Sequence, residues 1–66
     1  MRKVCTKRSR FRDFHGCEAN LSEYRDGSAR LVIYNYLGVV FHDKTYNSTR
    51  GARIAMGKLS YCWREI

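Results

Sequence analysis

The chain has no proline, and neither a sequence repeat nor a low-complexity tract interrupts it, so nothing in it marks a linker between domains. It reads as a single domain over residues 1–66. Acid is scarce, with six Asp and Glu against 13 Lys and Arg and a net charge of +7. That balance directs the search for a partner to polyanions or acidic surfaces. No run of 18 apolar residues exists, which excludes a membrane-spanning helix. The basic start is not followed by the apolar stretch of a secretory signal. The expectation is a cytoplasmic protein with no membrane partner. Cysteine is present in an odd number, Cys5, Cys17 and Cys62, which fits reduced thiols better than a disulfide framework.

What the chain does have is apolar and aromatic material. Hydrophobic residues make up 44% of it, with five Tyr, three Phe and one Trp, too much for a disordered chain. At 66 residues it is close to the lower limit for a domain that folds alone, so most aromatics are needed in the core. A homodimer that completes a small core is compatible with this length.

The positive charge is unevenly spread. Residues 1–12 carry Arg2, Lys3, Lys7, Arg8, Arg10 and Arg12 and no acid, while 13–43 are mildly acidic. Residues 44–58 add Lys44, Arg50, Arg53 and Lys58, again without an acid. Clustered cations attract polyanions and make their binding salt-dependent. The plainer reading is a solvated basic surface.

Pattern and turn chemistry predict an α+β fold. Asp26-Gly27 is a hairpin turn pair between a strand at about 18–25 and one at 28–35, and Asn35 to Gly38 is a second turn leading to a strand at 38–43. These three form an antiparallel β-meander. Leu31-Val32-Ile33-Tyr34 is apolar in both phases, which predicts a central strand covered at least in part on each side. Asn47, Ser48 or Thr49 can cap a helix at about 48–60, in which Ala52, Ala55, Met56, Leu59 and Trp63 fall on one stripe and Arg50, Arg53, Lys58 and Arg64 on the other. Leu59, Tyr61 and Trp63 also alternate, so 59–66 fits helix or strand. The first 14 residues read as a basic arm or an edge strand, closed by a break at His15-Gly16.

Tests for chemistry give little. Cys5, His15, Cys17, His42 and Cys62 lack the paired spacing of a zinc site, and whether they hold metal stays open. No glycine-rich phosphate loop follows a strand, and no nucleophile, base or carboxylate pair can be argued. No cofactor and no enzymatic activity are expected. Tyr24, Tyr34, Tyr36, Phe41 and Tyr46 lie on or beside strands, where aromatics can stack on bases. Most are needed in the core, and Tyr36 and Tyr61 are the best candidates for exposure.

Leu31-Val32-Ile33-Tyr34-Asn35 with Val39-Val40, then Tyr46-Asn47-Ser48-Thr49 and Arg53 to Leu59, resembles a group of small bacteriophage accessory proteins. Those carry an L-x-S-Y-x-T-x-V segment, then Y-x-S-x-T-[TS]-x-[RK]-H opening a terminal helix. The likeness covers residues 31–59 and departs from the pattern at Gly51 and Ile54. It implies a meander capped by a helix and a phage-encoded accessory role in the host cytoplasm, with no particular activity.

The expected function is therefore non-enzymatic binding of nucleic acid through Arg8, Arg10, Arg12, Arg50, Arg53 and Lys58, with Tyr36 and Tyr61. The alternative is an inhibitor that docks on an acidic surface of a host protein of the defence or transcription machinery.

Overall fold

Between Arg8 and Arg12 every second residue is an arginine, and the two between them, Ser9 and Phe11, are buried. Such a period-two pattern is a strand with one covered face. In a computed structural model of the protein, which describes residues 4–59 and 62–66, this segment is β1 (Cys5–Arg12). It is followed by β2 (Glu18–Tyr24), β3 (Ala29–Tyr34), β4 (Val40–Tyr46), α1 (Thr49–Leu59) and β5 (Arg64–Glu65). All paired strands are antiparallel, in the order β4-β3-β2-β1-β5.

The sheet is therefore larger than the predicted three-stranded meander, which forms its β2-β3-β4 part. The segment predicted as an arm or an edge strand pairs with β2 along its length, and its last two residues also pair with β5 on the other side. Regular alternation lets β1 join the sheet, but the pattern of charges on one side alone resembles that of a free basic tail. β4 runs to Tyr46 rather than stopping near 43. Its register slips between Ile33 and Tyr34, which leaves Phe41 as the extra residue of a bulge.

The turns follow the chemistry read from their residues. Asp26 Oδ1 accepts from the Ser28 amide (2.9 Å) and hydroxyl, and Gly27 takes a φ of +91°. Asn35 Oδ1 accepts from the amides of Leu37 and Val39, at 2.9 and 3.0 Å. Asp13 Oδ1 does the same for His15 and Cys17. At Gly16, φ is +90°, and a Cβ would stand 3.1 Å from the Cβ of Tyr36, so the β1–β2 and β3–β4 turns touch there.

α1 covers one face of the sheet. Phe11, Ala19, Leu21, Ala29, Leu31 and Ile33 from the strands and Ala52 and Met56 from the helix form a single buried cluster. Ser48 caps the helix, its hydroxyl accepting from the Gly51 amide at 3.1 Å. Ser48→Ala is expected to cost about 1 kcal/mol, read as a fall of several degrees in the midpoint of thermal unfolding followed by circular dichroism.

The predicted helical stripe holds at Ala52, Ala55 and Met56 and fails beyond them. Leu59 is 48% exposed. Trp63 lies after the helix, packs on the core from there, and its indole N–H donates to the Met56 carbonyl at 2.8 Å. It occupies a carbonyl at the helix end that the helix itself cannot satisfy.

Candidate functional site

The face of the sheet opposite α1 has no second layer among the described residues. Val32 and Tyr34, expected under cover, are half-buried there. The strand register places the side chains of this face in rows. Arg12 stands between Arg64 and Glu18, with Tyr34 and Val40 beyond. Arg10 leads to Asn20, Val32 and Asp43, and Arg8 to Ser22, Arg30 and Thr45. Alternate residues on a strand repeat every ~6.7 Å, so Arg8, Arg10 and Arg12 form an evenly spaced line, and β5 extends it sideways with Arg64.

Two acids temper this surface. Arg10 and Arg12 both donate from Nη2 to Glu18 Oε1, at 3.1 and 3.5 Å. The hydrogen bond from Arg10 holds the Glu18 carboxyl below its ordinary range against the opposing effect of burial, with the charge of Arg10 and the contact to Arg12 adding to it. Arg30 grips Asp43 with two hydrogen bonds, 2.8 Å from Nε and 2.6 Å from Nη2. Each raises the other's preference for charge, the hydrogen bond being the main cause. Arg30 is thus already engaged, whereas Arg8 and Arg64 have no ion pair among the described residues.

Because Glu18 is more acidic folded than unfolded, its contribution to stability is complete above its unfolded pKa, about 4.3, and is lost as pH falls through the folded value. Urea unfolding at a series of pH values should therefore show a loss below about pH 4.3 that is smaller in Glu18→Gln.

At the end of the sheet where the β1–β2 and β3–β4 turns meet, the open face deepens into a cleft of about 580 Å³. Arg12, Glu18, Asn20, Tyr34, Asn35 and Tyr36 line it. A second hollow, of about 600 Å³, lies beside it between Phe14, Trp63 and Arg64. Phe14 and Tyr36 are 75% and 74% exposed, at adjoining turns.

Of the residues singled out from sequence, Arg8, Arg10 and Arg12 come together on the open face, and Tyr36 stands at its end. Arg50, Arg53 and Lys58 are exposed on α1, on the other side of the molecule; the Arg53 guanidinium lies over the Phe11 ring, 5.7 Å from its centroid. The two basic blocks are not one surface. Tyr61 lies outside the described residues. Sequence reasoning named Tyr34 among the aromatics able to stack and missed Glu18, Asn20, Phe14 and Arg64 as parts of a site. The arginines were visible as a basic cluster, but their cross-strand neighbours depend on register.

Burial, then the charge of Asp13, pushes the Cys17 thiol up, so it is a weak nucleophile. Among the described residues no three His, Cys, Asp or Glu side chains gather as a metal site, and no helix is long and apolar enough to cross a membrane. No family model, curated protein or solved structure matches the chain.

Proposed function

We propose that the protein is a non-enzymatic nucleic-acid-binding module that holds a phosphate backbone along β1. The observation that carries this reading is the line of Arg8, Arg10 and Arg12, extended by Arg64, on an open sheet face. Guanidinium groups bind phosphate oxygens bidentately and remain charged at any physiological pH. Glu18 shares a single oxygen between two of them, which aligns both side chains without neutralising the row. A phage-encoded accessory role rests on the resemblance of residues 31–59.

The test is titration of fluorescently labelled DNA and RNA at two salt concentrations. Four arginine contacts to a single strand predict a slope of log K against log salt of about −3. Absence of binding at low salt sinks the reading.

A second reading is favoured by one observation. Tyr36, Leu37, Val39, Val40 and Phe41 form an exposed, uncharged run at the end of the sheet where Arg12 and Arg64 stand. Apolar contacts beside cations suit an inhibitor that docks on the acidic surface of a host protein. Stoichiometric capture of one protein from nuclease-treated host extract, with no affinity for DNA or RNA, would favour that reading.

A further inference from the structure

Resting on the proposed nucleic-acid reading, we infer that the ligand is single-stranded and that one unpaired base enters the cleft between Tyr34 and Tyr36, where Glu18 and Asn20 favour a base bearing an exocyclic amino group. The open face is divided by strand. Arg8, Arg10 and Arg12 stand on β1, and beside them on β2 and β3 are the uncharged Asn20, Ser22, Val32 and Tyr34, bounded by Glu18 at one end and Arg30 at the other. The Arg30–Asp43 pair closes the far side. A backbone on β1 therefore projects its bases over β2 and β3, a step of about 4.8 Å per strand. A duplex keeps its bases paired inside and leaves Val32 and Tyr34 unused, whereas a single strand can lay a base on them.

The cleft suits a base better than a phosphate. Its volume, about 580 Å³, is within the range of small-ligand sites. Glu18 and Arg12 line it together, so the interior carries no excess positive charge, and only Oε1 of Glu18 is taken by Arg10 and Arg12, which leaves Oε2 as an acceptor. A carboxylate accepts from the amino group of cytosine and has nothing to accept at the corresponding carbonyl of uracil. Asn20 adds an amide with no hydrogen bond among the described residues, able to donate and accept at the same base edge. Tyr36 is exposed where its turn closely approaches Gly16, and Tyr34 lies between Glu18 and Val40 in its row.

The experiment measures fluorescence anisotropy of the full chain with labelled oligo-dC and oligo-dU, their RNA counterparts and a duplex of equal length. Single strands are expected to bind at least tenfold tighter than the duplex, and cytosine about fivefold or more tighter than uracil. Tyr36→Ala, at an exposed position, should weaken single-strand binding about tenfold and leave duplex binding unchanged. Glu18→Gln should abolish the preference for cytosine while raising affinity for both, since Arg10 and Arg12 are released to phosphate. Equal or tighter binding of duplex, or indifference to Tyr36→Ala, overturns the inference and leaves the phosphate-binding reading standing. Binding of single strands with no cytosine preference overturns the role of Glu18. Failure to bind any oligonucleotide at low salt overturns the function itself. A preference for RNA over DNA of the same sequence would identify the strand and still support the inference.

Discussion

Leu31→Ala is expected to leave the domain largely unfolded at physiological temperature. Leu31 is fully buried at the middle of β3, beside Leu21 on β2 and within the cluster that includes Ala52 and Met56. Truncating a buried leucine costs about 2–5 kcal/mol, the spread reflecting how far neighbours collapse into the space. Collapse is restricted here. Three of the seven other buried apolar residues, Ala19, Ala29 and Ala52, have no side chain to move into a cavity, and Leu21, Ile33 and Phe11 are held on paired strands, which leaves Met56 as the flexible one. At roughly 0.05–0.15 kcal/mol per residue a chain of this length has about 3–10 kcal/mol in total, so the loss is comparable with the whole. Urea unfolding followed by tryptophan fluorescence would measure it, since Trp63 packs against the same core. Leu37→Ala is the matched control; that leucine is exposed at the β3–β4 turn and should change stability by less than about 0.5 kcal/mol.

The contrast between Leu31 and Leu37 indicates what was legible beforehand. Asp26-Gly27 and Asn35 to Gly38 carry their turn geometry in local side-chain chemistry, so the β2-β3-β4 hairpins could be read from a few residues each, and the helix cap could be narrowed to Asn47, Ser48 or Thr49, of which Ser48 makes it. β5 could not. Two residues of strand, Arg64 and Glu65, have no period, and they pair because Trp63 docks on the core and carries the chain to the free side of β1. β1 was half legible: Phe11 signalled burial, but Ser9 is a polar residue at a buried position and hid the alternation. The site suffered most. Arginines were visible as a cluster, whereas Glu18, Asn20 and Tyr34 join them only through cross-strand register, information that is long-range in the chain. Charge blocks that looked alike in sequence, at the start and in the helix, were separated by the strand's alternation and the helix's packing.

That separation makes the second large effect specific. Replacing Arg8, Arg10 and Arg12 together by Gln is expected to weaken nucleic-acid binding on the order of 10³-fold at low salt, since a charge-assisted hydrogen bond contributes about 1.5–3 kcal/mol. The slope of log K against log salt should flatten by about 2, for three contacts to a single strand. The same change at Arg50, Arg53 and Lys58 removes an equal formal charge from the helix side. Those cations lie on the helix side of the sheet, with Arg53 over the Phe11 ring. When the two variants are compared at physiological salt, where the Debye length is about 8 Å, the field of the helix cations at the open face is weakened by screening. Their loss should therefore alter affinity only a few-fold and the slope hardly at all. Loss of the Arg53–Phe11 contact would appear instead as a small fall in thermal stability, about 0.5–1 kcal/mol. Equal losses from the two triple variants would mean that the ligand wraps both sides, and the open face could not then be the site. A loss confined to the β1 variant, with the salt slope reduced in step, ties binding to the line of arginines rather than to net charge, because both variants carry the same net charge.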